Sequence, residues 1–300
     1  MSTMQSIPEV TEFIKHFSLK DCDNKGFSRV LLQLFGYLGH GKSSFINTCK
    51  YVLDDTEYKI YADVKNNDGG NTTARITYAL TDTLTLVDNR GCAMMNAYET
   101  GEIFAQLGNL LPLDREVKWS PGIGLVERIV QAERYVQSSD FVFPIFVYSV
   151  KKGLSSDEVP EIKELLITAR NLTGIMPVVV LTHKTHSNLR DVQAKFEDMD
   201  VERIFTLENF TPEDHMKTRG KHEAVLNFFL EVIKDITFRI ERFSDPEDER
   251  EKRKQFVLEF VYQREMKKKD DEMEKMQRRY KEAEQQRNVN SQPDSGCSLQ

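Results

Sequence analysis

Residues 36–43 read GYLGHGKS. This stretch matches the phosphate-binding pattern G-x-x-x-x-G-K-[S/T], and it lies between an apolar run at residues 30–35 and a helical pattern that begins at Lys42. A glycine-rich turn between a strand and a helix lets backbone N–H groups point at phosphate oxygens, and the positive end of the helix faces the same ligand. The sequence therefore predicts a site for a polyphosphate.

Two side chains of this loop add charge and a metal ligand. Lys42 is expected to place an ammonium group on the β- and γ-phosphates of a nucleotide, and the Ser43 hydroxyl is expected to bind Mg²⁺. The residues of this segment that we predict to bind the nucleotide are Gly36, Gly39, His40, Gly41, Lys42, Ser43 and Ser44.

Two further motifs follow apolar runs. Residues 87–91 read VDNRG, in the arrangement D-x-x-G, and residues 178–185 read VVVLTHKT. Between the phosphate loop and VDNRG lies a polar, glycine-containing loop that ends in two adjacent threonines, Thr72 and Thr73.

Together these motifs resemble those of the P-loop GTPases. Over about residues 27–238 the layout looks most like the septin and GTPase of immunity-associated protein (GIMAP) branch, because of the T-H-K sequence, the acidic helix start at residues 155–158 and a charged C-terminal extension. The resemblance implies a three-layer α/β P-loop G domain that binds GTP or GDP with Mg²⁺. It also implies a homodimer or oligomer that forms across the nucleotide face.

The resemblance assigns roles to the D-x-x-G segment and the threonine loop. Asp88 would hold Mg²⁺ through its water shell, and the Gly91 N–H would bind the γ-phosphate. Thr73 would close on Mg²⁺ and the γ-phosphate, with Thr72 as the alternative. The implied metal ligands are Ser43, Thr73 and Asp88, and the implied catalytic residues are Lys42, Thr73 and Gly91.

The base-reading segment departs from the family pattern. His183 and Lys184 are expected beside the purine, but Thr185 stands where GTPases carry an Asp that accepts two hydrogen bonds from guanine. A hydroxyl accepts a weaker, single bond, so guanine preference is expected to fall by roughly 1 to 3 kcal/mol. Glu208, after the apolar run at residues 204–207, is a candidate to compensate.

Hydrolysis is expected to be slow. Cys92 stands where small GTPases carry the Gln that positions water, and a neutral thiol cannot replace an amide. Leu38 replaces a loop glycine, and its bulk would obstruct an arginine finger. Arg90 is expected to serve a partner or the γ-phosphate, or else to be solvated.

Composition excludes several classes of protein. The 300 residues include 41 Lys plus Arg and 48 Asp plus Glu, a formal net charge of −7, which argues against nucleic-acid binding through a broad basic surface. The four widely spaced cysteines fit neither a zinc site nor a disulfide scaffold. We find no signal peptide and no apolar run long enough to cross a membrane, so a cytoplasmic location is expected.

The pattern of apolar runs predicts an α/β fold with a mostly parallel sheet covered on both sides by helices. A first helix is expected after Ser6, and a second from Lys42. Further helices are expected at residues 97–111, 126–136, 161–172 and 223–240, and an irregular segment at 113–124. Strands are expected at residues 30–35, 58–64, 76–80, 84–87, 141–148, 176–181 and 204–207, although Pro144 is unfavourable within its run.

The chain divides into four predicted parts: an N-terminal helical extension at residues 1–26, the G domain at 27–243, a long charged helix at 244–287, and a disordered tail at 288–300. A thin stripe on the long helix consists of Leu258, Tyr262, Met266, Met273, Met276 and Tyr280, interrupted by Lys269. Two interpretations stay open: a coiled coil with another helix, or packing of this stripe on the domain itself.

The last four residues, beginning at Cys297, read CSLQ and fit a C-a-a-X prenylation signal. Ser298 is not aliphatic and the neighbouring residues are not strongly basic, so an unmodified tail is the alternative. If Cys297 is lipidated, the protein is expected at a membrane surface as well as in the cytoplasm.

Three functions follow as hypotheses. The first is a GTP-binding protein and slow GTPase whose nucleotide state controls self-association. The second is a scaffold with a degenerate G domain that acts through its C-terminal helix. The third is an ATP-binding P-loop enzyme, since Thr185 leaves the base preference open.

Overall fold

The computed structural model describes residues 6–63, 74–92, 97–120 and 122–290. These contain seven strands and eight α-helices. The strands are β1 (Arg29–Phe35), β2 (Ala74–Ala79), β3 (Leu84–Asp88), β4 (Arg115–Glu116), β5 (Asp140–Ser149), β6 (Val178–Thr182) and β7 (Ile204–Leu207). The helices are α1 (Ile7–His16), α2 (Lys42–Asp54), α3 (Ala97–Leu107), α4 (Ile123–Ala132), α5 (Glu158–Thr173), α6 (Leu189–Glu197), α7 (Arg219–Ile240) and α8 (Pro246–Asn290).

All seven strands form one sheet in the order β4-β2-β3-β1-β5-β6-β7. β1 is parallel to β3 and β5, and β6 is parallel to β5 and β7, whereas β2 is antiparallel to β3 and β4. The predicted α/β class with a mostly parallel sheet is confirmed.

Alternate side chains of the central strands enter two separate cores. Leu32 and Leu34 of β1 pack on one face with residues of α1, α2 and α7. Phe35 of β1 and Phe146 of β5 pack on the other face with residues of α3, α4, α5 and the first part of α8. Both faces of these strands are buried, which explains why their sequences are continuous apolar runs rather than alternating ones.

Pro144 lies inside β5, a central strand. It pairs with Gln33 of β1 on one side, but β6 pairs with β5 only from Ile145 onward. Position 144 therefore has a strand neighbour on one side alone, and a residue without a backbone N–H is tolerated there.

The strand expected at residues 58–64 is wrong. Residues 58–63 are not part of the sheet, and Val64 lies outside the described residues. Asn47 of α2 occupies their backbone groups: its Oδ1 accepts from the N–H of Tyr61 (2.9 Å) and of Ala62 (2.8 Å), and its Nδ2 donates to the Ala62 carbonyl (2.9 Å). One buried amide thus takes the place of a neighbouring strand.

Several helix boundaries also differ from expectation. α3 ends at Leu107 rather than at residue 111, since Gly108 follows it and Asn109 adopts a left-handed conformation with φ 53°. α4 begins and ends earlier than residues 126–136. α6 and the two-residue β4 were not predicted, because α6 is a short polar helix and β4 lies in a segment that looked irregular.

α8 is a continuous helix of 45 residues. It extends past residue 287, so the prediction of disorder is wrong for positions 288–290; residues 291–300 lie outside the described part of the chain. Its first turns pack on the domain through buried Val257 and Val261. No described helix is both long and apolar enough to span a bilayer.

The stripe predicted on this helix does not pack on the domain. Only Leu258 contacts the core, and it is partly buried. Tyr262, Met266, Met273, Met276 and Tyr280 are all exposed.

A fully buried arginine joins β2 to the start of the D-x-x-G segment. Arg75 donates from Nε to Asn89 Oδ1 (2.9 Å) and from one guanidinium nitrogen to both Gln33 Oε1 and Asn109 Oδ1 (3.2 Å each). Its remaining terminal nitrogen donates to the Leu111 carbonyl. Burial lowers the pKa of Arg75 to about 9, yet these acceptors satisfy the guanidinium in a place that water does not reach.

We predict that Arg75→Ala lowers the free energy of unfolding by about 3 kcal/mol or more, because it leaves several buried acceptors unpaired. Urea denaturation measures this. Lys118→Ala, at a side chain that is 83% exposed, is the control and is expected to change stability by less than about 0.5 kcal/mol. Equal, small effects of both substitutions on the free energy of unfolding would contradict the proposed contribution of Arg75 to stability.

Candidate functional site

The sheet order brings the first two motifs to one edge. β1 and β3 are adjacent and parallel, with Leu34 opposite Asp88. The loop that follows β1 and the segment that follows β3 therefore leave the sheet side by side. Ligand sites of open parallel sheets lie at this edge, beyond the carboxyl ends of the strands.

Three glycines shape the loop at residues 36–43. Gly36, Gly39 and Gly41 have φ of 134°, 73° and 92°, a region that other residues rarely adopt. At Gly36 a Cβ would also lie 2.6 Å from the Val147 carbonyl oxygen of β5. The first glycine is therefore required by close contact with a neighbouring strand as well as by its backbone conformation.

Lys42 is the first residue of α2 and folds back over the loop. Its Nζ donates to the carbonyls of Tyr37 (2.9 Å) and Gly36 (3.2 Å). Burial lowers the pKa of Lys42, and the nearby Asp88 partly opposes this shift. An ammonium group is thus held at the centre of the loop by backbone oxygens.

Ser43 and Asp88 meet directly, since the Ser43 hydroxyl donates to Asp88 Oδ2 over 2.9 Å. Gly91 lies against the same site: a Cβ on Gly91 would be 2.7 Å from Lys42 Nζ. The two sequence motifs therefore share one site. Ser44 is half-buried in the first turn of α2.

His40 is buried behind the loop. Its Nδ1 accepts from the Ser149 N–H (3.3 Å), and its ring packs edge-on against Tyr148 at 4.6 Å and beside Tyr37 at 5.2 Å. Burial, with a smaller contribution from Lys42, lowers the pKa of His40 to about 3. The ring is neutral near pH 7 and supports the loop rather than adding charge to it.

The third motif lies at the ends of β6 and β7. His183 has a left-handed φ of 61°, and its Nδ1 lies 3.1 Å from Ser149 Oγ. Glu208 Oε2 accepts from both the N–H (3.2 Å) and the hydroxyl (3.0 Å) of Thr185. The carboxylate that follows β7 is therefore adjacent to the threonine that replaces the expected Asp, and the Lys184 N–H is 3.3 Å from the Leu207 carbonyl.

Two residues that join these segments were missed by sequence reasoning. Thr182 Oγ1 donates to the His40 carbonyl over 3.2 Å, and Asn209 Nδ2 lies 3.5 Å from the Gly41 carbonyl. Both are buried. Their positions directly before His183 and after Glu208 were the available signal, since the ends of β6 and β7 flank the loop.

Arg90 and Cys92 belong to the segment that follows β3, and the structure gives each a defined environment. Arg90 donates to the Val117 carbonyl (2.7 Å), and its guanidinium lies 4.7 Å from the Trp119 ring centre. It is half-buried in a defined place, so the expectation of a solvated side chain is wrong. Cys92 is buried with its Sγ 3.8 Å from the Gly36 carbonyl, and burial raises the pKa of its thiol to about 12.

Thr72, Thr73 and Cys297 lie outside the described residues, and their predicted roles stay predictions. Two clefts away from the loop contain none of the predicted residues. One, of about 390 Å³, lies between α8 and the segment around Gly122, and the other, of about 330 Å³, lies between α1 and the start of α7.

Comparison with known proteins does not place this chain in a family. No protein-family model matches it, and no curated protein was found to be similar in sequence. The interpretation of the site depends on its own residues.

Because the pKa of His40 in the folded chain is about 3 and that of an unfolded histidine is about 6.5, the unfolded state takes up this proton first as pH falls. Stability is therefore lost as pH falls below about 6.5, by about 2 kcal/mol between pH 7 and pH 5. We predict that His40→Asn removes about this much of the pH dependence of unfolding.

Urea unfolding at both pH values tests this. His16→Asn, at an exposed histidine with 78% side-chain accessibility, is the matched control. The assignment of this pH dependence to His40 would be contradicted if His40→Asn left the pH dependence of unfolding unchanged. It would also be contradicted if His16→Asn reduced that pH dependence as much as His40→Asn does.

Proposed function

We propose that the chain binds GTP and GDP with Mg²⁺ at residues 36–43 and hydrolyses GTP slowly. The observation that carries this proposal is the convergence of Lys42, Ser43 and Asp88: the ammonium is held over the loop, and the hydroxyl and carboxylate are 2.9 Å apart. An ammonium, a hydroxyl and a carboxylate at the start of a helix suit a magnesium-bound polyphosphate.

The loop supplies the phosphate contacts in this proposal. Lys42 Nζ is bonded to two loop carbonyls and is buried. A phosphate oxygen beside it would favour the charged form of the amine, which burial alone disfavours. The first N–H groups of α2 have no partner within the helix ladder, so they are donors for the same phosphates.

The residues also fit Mg²⁺. This ion prefers oxygen ligands and usually binds through one or two carboxylates together with water and substrate phosphates. Ser43 Oγ would bind the ion directly, Asp88 Oδ2 would hold it through its water shell, and Thr73 is the predicted third ligand. Within the described ranges no three His, Cys, Asp or Glu side chains are grouped to hold a metal by themselves. When bound, Mg²⁺ would neutralise charge on the β- and γ-phosphates.

Guanine preference is assigned to Glu208. Thr185 alone would be a weak acceptor, but its hydroxyl and N–H both donate to Glu208 Oε2. This leaves the second carboxylate oxygen, Oε1, as an acceptor beside the position where the motif places the base. Guanine presents N–H donors that adenine lacks at the corresponding edge, so a carboxylate there favours GTP over ATP.

Slow hydrolysis follows from the residues around Gly91. The Gly91 backbone lies next to Lys42, where its N–H can bind the γ-phosphate. The next residue, Cys92, is buried and holds a neutral thiol, so it cannot orient an attacking water. The Arg90 guanidinium already contacts the Val117 carbonyl and the Trp119 ring, so it does not supply charge to the γ-phosphate. Turnover is therefore expected to depend on a second molecule.

We further propose that the nucleotide state controls self-association of a cytoplasmic protein, and that a prenyl group on Cys297 brings it to a membrane surface. A scaffold function through the C-terminal helix is the second candidate, and the exposure of α8 from Met266 to residue 285 favours it. An ATP-binding enzyme is the third, since Thr185 replaces the usual Asp.

We predict that Lys42→Met weakens GTP binding in the presence of Mg²⁺ by about 100-fold, or about 2.7 kcal/mol, because it removes the charge at the phosphates. Fluorescence titration with a labelled nucleotide measures the affinity. Lys50→Met, two turns further along α2, is the control and is expected to bind normally. Equal affinities of wild type and Lys42→Met would contradict the phosphate site.

We predict that Glu208→Gln weakens GTP binding by about 10-fold to 100-fold and leaves ATP binding unchanged, because the amide is a weaker acceptor for guanine N–H groups. Thr185→Asp is expected to strengthen the preference for GTP. Competition titrations with GTP and ATP measure both affinities of each variant. Glu202→Gln, at an exposed residue, is the control. An equal loss of GTP and ATP affinity would mean that Glu208 supports the loops without reading the base.

A further inference from the structure

The far part of α8 projects from the domain. Among helix residues 246–285, whose burial the structure describes, Val261 is the last buried one, and every side chain from Met266 to residue 285 is exposed. Helical backbone nevertheless continues to Asn290. In proteins most helical stability comes from packing of a helix face on other elements or chains rather than from intrinsic propensity.

The exposed apolar stripe points away from the domain. At 3.6 residues per turn, Tyr262, Met266 and Met273 lie roughly 140° around the helix from the face that carries Val257 and Val261. Their exposed fractions are 61%, 40% and 53%. A second helix can therefore lie along this stripe without colliding with the domain to which α8 is docked.

The spacing of the stripe is that of a coiled-coil seam. Its positions are separated by four, three, four, three and four residues, in the order Tyr262, Met266, Lys269, Met273, Met276 and Tyr280. Five positions are apolar or aromatic, and Lys269 is the one charged member. A single charged residue in a seam selects among possible pairings, because pairings that bury it beside a like charge are disfavoured.

We propose that this segment pairs with the same segment of a second copy in antiparallel orientation, about a two-fold axis at Asp271. In this register Tyr262 lies opposite Tyr280 of the second copy, Met266 opposite Met276, and Lys269 opposite Met273. A parallel pair would instead place the two Lys269 side chains in one layer. The antiparallel arrangement avoids that contact. Every apolar residue of the seam then faces an apolar residue of the second copy, except Met273, which packs against the aliphatic stem of Lys269.

The flanking charges agree with the antiparallel register. Glu265 lies beside Arg279 of the second copy, and the Lys269 ammonium lies between Asp270 and Glu272 of the second copy. In the parallel pair Glu265 would lie beside Asp270, an acidic pair. The free segment carries nine basic and seven acidic residues between Tyr262 and Asn290, so a second copy offers charges of both signs, whereas an anionic membrane surface would repel the acidic ones.

This pairing through α8 does not require nucleotide, and it is separate from the nucleotide-controlled self-association proposed above. The interface is isologous and closes as a dimer with the two domains at opposite ends. It depends on α8 alone, so it is expected to persist in the Lys42→Met chain, in which GTP binding is expected to be weakened. Its failure is therefore distinguishable from failure of the nucleotide site.

Cross-linking of full-length chains tests the orientation. In a Cys22→Ser, Cys297→Ser background that keeps Lys269, Met266→Cys and Met276→Cys chains are treated with a short bifunctional maleimide separately and as a mixture. We expect cross-linked dimers in the mixture and few from either chain alone. Efficient cross-linking of Met266→Cys alone would overturn the antiparallel pair in favour of a parallel one.

Sedimentation equilibrium tests whether the stripe is the interface. Met266→Gln combined with Met273→Gln is expected to raise the dimer dissociation constant by about tenfold or more. Lys268→Gln combined with Lys275→Gln, on the opposite side of the helix, is the matched control and is expected to change it little. A wild-type chain that stays monomeric at all concentrations, or equal effects of both double variants, would overturn the proposal.

Discussion

The hydrogen bond between the Ser43 hydroxyl and the Asp88 carboxylate joins the two strand ends on which the candidate site is built. It exists because β3, rather than β2, lies beside β1, which puts the starts of two loops within one side-chain length of each other. Gly36 keeps this junction compact, since a Cβ there would collide with the Val147 carbonyl oxygen, and a Cβ at Gly91 would displace the ends of the Lys42 and Leu38 side chains. A site for a small charged ligand needs this rigidity from its backbone before its side chains can act.

Buried polar groups hold the junction from behind. Asn89, next to Asp88, donates to Gln33 of β1 and accepts from Arg75 of β2, so three strands fix its position. The Arg90 N–H donates to Gln106 of α3. Gly108 lies two residues after Gln106, and its carbonyl accepts a hydrogen bond from Arg253 of α8. The helix that carries the proposed dimer seam is thus docked on the turn that supports the D-x-x-G segment.

The sequence predicted what local patterns encode. Continuous apolar runs predicted β1, β5, β6 and β7, and the spacing of glycines before Lys42 and Ser43 predicted the loop at residues 36–43. It could not predict contacts between distant side chains: Asn47 replacing a strand partner for residues 61–62, Arg75 buried among four acceptors, or Glu208 beside Thr185. Arg90 looked solvated because nothing in the sequence places Trp119 over it. Such pairings depend on sheet order, which a single sequence does not reveal.

The most direct test of the account is a crystal structure of the protein with a non-hydrolysable GTP analogue and Mg²⁺. We predict that the β- and γ-phosphates lie within hydrogen-bond distance of Lys42 Nζ, that the Ser43 hydroxyl turns from Asp88 to the metal, and that the guanine edge faces Glu208. A nucleotide bound elsewhere, or an unchanged Ser43–Asp88 pair at millimolar nucleotide, would contradict it.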